Sequence, residues 1–128
     1  ELKVVDDQIG APTSAELVAD VTALMIRSLL SGRGTGGVYH CVASGETSWF
    51  EFAKLIVDRA QKNASDQQCR VVPISTAEYP TPACRPLNSR LSTMKISHHF
   101  DVNLHHWASG ADRVLTELNE FPEGSGIK

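Results

Sequence analysis

The segment Tyr79–Leu91, YPTPACRPLNSRL, carries three prolines, two arginines, an asparagine and a serine with neither helical nor strand periodicity. Proline fixes φ, removes a backbone donor and pushes the preceding residue toward extended conformations. Pro80, Pro82 and Pro86 therefore predict a stiff, extended loop, which neither a helix nor a central strand could absorb. Arg85 and Arg90 add two planar guanidinium groups suited to bidentate recognition of phosphate oxygens. A loop stiffened in advance loses little entropy on binding. The plainer reading, a proline-rich connection with two solvated arginines, stands beside the anion-binding one.

At 128 residues the chain fits one domain, expected over residues 1–121 with a frayed, glycine-rich tail at 122–128. Hydrophobic residues make up 41% and charged residues 21%, as in ordinary globular proteins. A net charge of −3 argues against a general nucleic-acid or anionic-membrane binder, so any anion site is local. No apolar run approaches the roughly 20 residues that span a bilayer. The start at Glu1-Leu2-Lys3 does not resemble a signal peptide and reads as a piece of something longer. Cys41, Cys69 and Cys84 are odd in number and lack CxxC spacing, which suits free thiols in a reducing cytoplasm.

Apolar positions Leu17, Val18, Val21, Leu24, Met25 and Leu29 predict a helix over Ala15–Leu30, capped by Ser14 and stopped at Gly32. Thr47 or Ser48 caps a second helix, Trp49–Lys62, with Phe52, Leu55 and Ile56 on its inner face. Further helices are expected over Leu91–Phe100 and Leu104–Phe121. Short strands are expected beginning at Val4-Val5, over Gly37–Val42 and over Arg70–Ile74, with a polar connection at Asn63–Gln68. Strands alternating with about four helices predict a small α/β unit, too poor in strands for a doubly wound sheet.

Gly32-Arg33-Gly34-Thr35-Gly36-Gly37 matches GxGxxG, but a helix precedes it and a strand is expected after it. Pyrophosphate binding needs the reverse order, so the match reads as a helix stop and turn. A Tyr-x-x-x-Lys pair for proton transfer is missing, because Ala43 and Ala83 stand four residues beyond Tyr39 and Tyr79. His98-His99 and His105-His106 lack carboxylates or cysteines at ligand spacing and read as solvated helix junctions. Asp6-Asp7-Gln8 follows a strand, where ligands bind in α/β folds. Turn and capping chemistry explains Asp7, Gly10 and Ser14 equally well but leaves Gln8 over.

VVDDQIGAPT, AELVAD, GVYHCVASGETSWFEFAKLI, YPTPACRPLNSRL and VLTEL, in that order, resemble the C-terminal part of the dTDP-4-dehydrorhamnose reductases. That family belongs to the extended short-chain dehydrogenase/reductases. The resemblance implies a small α/β substrate-binding domain whose N-terminal Rossmann domain, with NADPH and the Tyr-x-x-x-Lys pair, is absent from this chain. It implies reduction of dTDP-4-dehydro-L-rhamnose to dTDP-L-rhamnose by the whole enzyme, in the cytoplasm. Its partners would be a dTDP-sugar, the missing domain and a second copy in a homodimer, without nucleic acid or membrane. By the same resemblance Arg85 contacts the diphosphate, with Asn88, Ser89 and Arg90 as supports. Gln8, Pro12 and Thr13 match the loop that approaches the sugar; Trp49 could stack or pack near the pocket, but is expected to pack in the core. Glu16 and Glu117 match glutamates that hold Mg2+ between subunits in some members. The rival is a non-catalytic regulatory or binding protein of the same fold, similar to methionine adenosyltransferase regulatory subunits.

Overall fold

The computed structural model describes residues 1–61 and 69–120. The elements run β1 (Leu2–Val5), β2 (Ile9–Gly10), α1 (Ala15–Leu30), β3 (Thr47–Ser48), α2 (Trp49–Gln61), β4 (Val71–Ile74), α3 (Met94–Phe100) and α4 (Trp107–Glu120). The architecture is α/β, as expected. The segments expected as the 63–68 connection and the 122–128 tail lie outside the described residues. Contacts group the rest into two units, Glu1–Gly10 with Glu46–Arg90, and Ala11–Gly45 with the chain from Leu91 onward.

In the first unit β1 and β4 pair in parallel, Leu2 opposite Val71 and Val5 opposite Ile74. Parallel strands need a crossover, and α2 lies in the connection and packs on both strands. Its half-buried face carries Phe52, Leu55 and Ile56, the stripe expected from their spacing. Ser48 caps α2, its Oγ accepting from the Glu51 N–H at 3.0 Å. The same hydroxyl donates to Asp6 Oδ1 at 2.5 Å, and Ser48 is 4% exposed. The end of β1 is thereby tied to the start of α2. A 3-10 turn at Thr76–Glu78 follows β4; it has no periodic signature in the sequence.

In the second unit α1 has the expected bounds, and Ser14 Oγ accepts from the Leu17 N–H at 3.2 Å. Leu17 and Val21 of α1 pack with Ile96 of α3 and with Ala43, Val102 and Leu104. The strand expected over Gly37–Val42 does not form among the described residues. Lys95 Nζ takes the Val38 carbonyl at 2.8 Å, and the Tyr39 ring packs edge-on against Phe100. Side chains rather than a neighbouring strand thus hold this segment. The last helix starts at Trp107, later than expected, because the chain ahead of it pairs with Ser44. Ser44 donates to the His105 carbonyl at 2.9 Å, and Trp107 donates to the Ser44 carbonyl at 3.0 Å. Leu104, expected inside the helix, fills the core instead. Gly45 sits at φ +79°, where an added Cβ would strike the His106 ring.

Replacing Ser48 by alanine removes the α2 cap and leaves Asp6 without that donor. We expect a loss of about 1–3 kcal/mol in unfolding free energy, measured by urea titration. A change below about 0.5 kcal/mol, the size typical of a neutral surface substitution, would contradict this account.

Candidate functional site

The proline-rich loop reaches the first unit through its backbone. Ile9 donates to the Leu87 carbonyl at 2.9 Å, and Ser89 donates to the Ile9 carbonyl at 2.9 Å. Residues 87–89 therefore add a short parallel pairing beside β2. Ser89 Oγ also donates to the Ile9 carbonyl, at 3.1 Å. Gly10 makes this approach feasible, since a Cβ there would meet Ser89 Oγ at 2.5 Å. Asn88 Oδ1 accepts from the Arg90 N–H at 3.1 Å and from Arg90 Nη1 at 3.3 Å.

The two arginines differ in their surroundings. Arg90 meets the Glu46 carboxylate with two N–H groups, Nε to Oε2 at 2.5 Å and Nη2 to Oε1 at 3.0 Å. The Arg90 hydrogen bond and charge hold the Glu46 carboxyl below its usual range. Arg85 makes no hydrogen bond or ion pair with the described residues. Its side chain instead lines a cavity of about 380 Å³ together with Gln8, Lys3, Trp49, Tyr79 and Thr81. That lining presents two cations and no carboxylate. It also offers two aromatic rings, Trp49 being 53% and Tyr79 57% exposed.

The structure thus brings Gln8 and Arg85 to one cavity, while Asn88, Ser89 and Arg90 organise the loop beside it. Trp49, expected in the core, is more than half exposed and faces this cavity. Its place just after the Ser48 cap, at the mouth of the strand–helix junction, was the available signal. Lys3 was not singled out, and Tyr79 and Thr81 were noted only as part of the proline-rich loop, without a role in the site. Thr76 was missed as well, because its bonds run to residues far away in sequence. Gln8 Nε2 donates to Thr76 Oγ1 at 3.1 Å, across 68 residues. The Asp7 carboxylate accepts from the Thr76 N–H at 2.9 Å and from its hydroxyl at 2.5 Å, which holds it below the usual carboxylate range.

The remaining expected residues belong to the second unit. Thr13 Oγ1 donates to the Ala11 carbonyl at 3.0 Å and accepts from the Ala43 N–H at 3.1 Å; Pro12 beside it is half-buried. Glu117 accepts from Arg113 Nε at 3.1 Å. Glu16 is held below its usual carboxyl range by its own backbone N–H, then by the Ser14 hydroxyl, with a further contribution from Arg113. Its Oε2 is buried without a hydrogen-bond partner among the described residues. Nδ1 of each of His99, His105 and His106 has a backbone partner. Among the described residues no helix is long and apolar enough to cross a membrane.

Because the folded-state pKa of Glu46 is lowered, its pairing with Arg90 stabilises the fold above the unfolded-state pKa and fades as pH falls through the folded one. Wild type should therefore exceed Glu46→Gln in melting temperature at pH 7, and the gap should close toward pH 3. An unchanged gap in thermal scans would remove the pairing as its cause.

The family described as "RmlD substrate binding domain" matches residues 1–120. The chain is 47% identical over 120 residues to the dTDP-4-dehydrorhamnose reductase of Salmonella typhimurium, covering 91% of this chain and 40% of that protein. It is 45% identical over 119 residues to the Escherichia coli K12 reductase, covering 92% and 40%. Among solved structures, a Clostridium acetobutylicum dTDP-4-dehydrorhamnose reductase superposes with a TM-score of 0.76 at 28% identity, covering 92% and 39%. A Bacillus anthracis reductase, solved in complex with NADP, gives 0.72 at 32% identity, covering 91% and 38%. The chain spans about 40% of the length of the relatives it matches. On the match across residues 1–120, the chain belongs to the RmlD substrate-binding-domain family.

Proposed function

We propose that residues 1–121 form the nucleotide-sugar-binding part of a cytoplasmic dTDP-4-dehydrorhamnose reductase. The whole enzyme would reduce dTDP-4-dehydro-L-rhamnose to dTDP-L-rhamnose for cell-surface polysaccharide. The observation that carries this reading is Arg85, a guanidinium without a protein partner among the described residues, on a cavity that also offers aromatic surface. A diphosphate supplies the charge Arg85 lacks, and charge-assisted bonds to phosphate are among the strongest available. The names of the relatives at 47% and 45% identity favour an enzyme over a regulatory subunit of the same fold.

The chain's own residues bind and orient. With Ala43 and Ala83 four positions beyond the two tyrosines, they provide no Tyr-x-x-x-Lys proton donor, so the described part alone is inactive in this reading. NADPH, held by an N-terminal Rossmann domain, would supply the hydride. The NADP complex of the Bacillus anthracis reductase supports that choice of cofactor. A Tyr-x-x-x-Lys pair encoded ahead of Glu1 in the parent gene separates this reading from the regulatory one.

In the full-length protein, Arg85→Ala should weaken dTDP-sugar binding by about 1.5–3 kcal/mol in calorimetry, with NADPH affinity nearly intact. Equal loss of both affinities would point to misfolding and sink the assignment of Arg85.

Glu16 and Glu117 would supply oxygen ligands to Mg2+ between two copies of the protein. The buried Glu16 Oε2 without a hydrogen-bond partner suits a hard cation, although Arg113 competes for Glu117. Among the described residues no three or more His, Cys, Asp or Glu gather as a metal site, so further ligands come from elsewhere. Sedimentation of the full-length protein should show a dimer loosened by chelator and restored by Mg2+, but not restored in Glu16→Gln. A dimer indifferent to chelator would overturn the metal reading.

A further inference from the structure

We propose that Thr76 is a positioning residue that sets which end of the Gln8 amide the cavity presents, making Gln8 Oε1 a hydrogen-bond acceptor for a donor on the ligand. The proposal rests on reading this cavity as the nucleotide-sugar site.

A hydroxyl has one proton to donate, and an ionised carboxylate only accepts. Thr76 Oγ1 lies 2.5 Å from Asp7 Oδ1, so its proton is committed to Asp7. The Thr76 N–H, at 2.9 Å and 3.1 Å from the two Asp7 oxygens, fixes the same carboxylate from a second direction. What Thr76 Oγ1 has left are its lone pairs, and only a donor can satisfy them. The Gln8 side chain meets this demand with Nε2, at 3.1 Å. Turned over, the amide would place Oε1 against an oxygen that has no proton to give. The polarity of the relay from Asp7 through Thr76 to Gln8 therefore dictates the amide orientation.

Gln8 Oε1 makes no hydrogen bond with the described residues, and Gln8 lines the cavity that Arg85 and Trp49 also line. The site thus holds an acceptor oriented in advance near its two cations. On a nucleotide-sugar the complementary donors are the imide N–H of the pyrimidine and the hydroxyls of the sugar. A site built to bond such a group discriminates against analogues lacking it, because its own polar atom would be left unpaired.

The test uses the full-length protein and calorimetric titration with dTDP and with a dTDP-deoxyhexose. Thr76→Val keeps the side-chain shape and removes the relay; we expect roughly fivefold to tenfold weaker binding, recovered in Thr76→Ser. In a Gln8→Met background Thr76→Val should cost nothing further. Loss with both ligands places the donor on the nucleotide, and loss with the sugar-bearing ligand alone places it on the sugar; either supports the proposal. Asp7→Asn, which lets an amide face Thr76 Oγ1, gives a second route to the same Gln8-dependent loss should Thr76→Val not fold. An equal cost of Thr76→Val with and without Gln8, or no cost with either ligand, would overturn it. If Arg85→Ala still weakens binding in that case, only the Gln8 orientation has failed. If Arg85→Ala is silent too, the cavity reading has failed with it.

Discussion

The first unit depends on the contact between Asp6 and the buried Ser48. An α-helix begins with N–H groups that have no intrahelical partner, and a buried hydroxyl is costly unless it has a hydrogen-bond partner. The Ser48 hydroxyl answers both needs, accepting from Glu51 and donating to Asp6. Asp6 is the first residue after β1, and its N–H extends the parallel pairing to the Ile74 carbonyl at 2.9 Å. One side chain thereby sets the distance between the β1–β4 pair and the first turn of α2. Asp7, next in sequence, performs the corresponding task for the turn that follows β4 by holding Thr76. Two adjacent acidic residues at a strand end thus place Trp49 on one wall and Gln8 on another. The proline-rich loop completes the cavity with Tyr79, Thr81 and Arg85.

That arrangement explains which features were legible from the sequence. Helix starts announce themselves locally: Ser14 and Ser48 each sit three residues before the N–H they cap, the first found outright and the second as one of two candidates with Thr47. The apolar spacing in α1 located its core residues Leu17 and Val21, although Val18, Leu24 and Leu29 of the same expected face are exposed. Pairings across long separations leave no such mark. The two-residue strands β2 and β3, the Ile9–Asn88 bridge and the Thr76 relay depend on partners that only the folded chain brings near. The strand wrongly expected over Gly37–Val42 is the converse case. Its composition suits a strand, but Lys95, Phe100 and His99 claim its groups. In the site, Arg85 and Gln8 stood out by residue type, whereas the exposure of Trp49 could not be read from a helix periodicity that groups it with Phe52.

The Arg90–Glu46 pair illustrates how, of the loop's two arginines, only Arg85 is left without a partner among the described residues. Both partners are largely exposed, 43% for Arg90 and 60% for Glu46, and exposed pairs of this kind contribute little to stability. Their effect on the loop's chemistry is larger. Glu46 occupies two N–H groups of Arg90, and Asn88 takes a third, so a phosphate reaching Arg90 would have to displace an existing carboxylate. Arg85 requires no such exchange. The proline restraint on either side of it, at Pro82 and Pro86, limits the rotational freedom lost when an anion binds. Selectivity between two chemically identical groups then follows from what already touches them. In the proposed reading, the carboxylate on Arg90 would direct a ligand's charge to Arg85, beside the aromatic surface and the acceptor of Gln8.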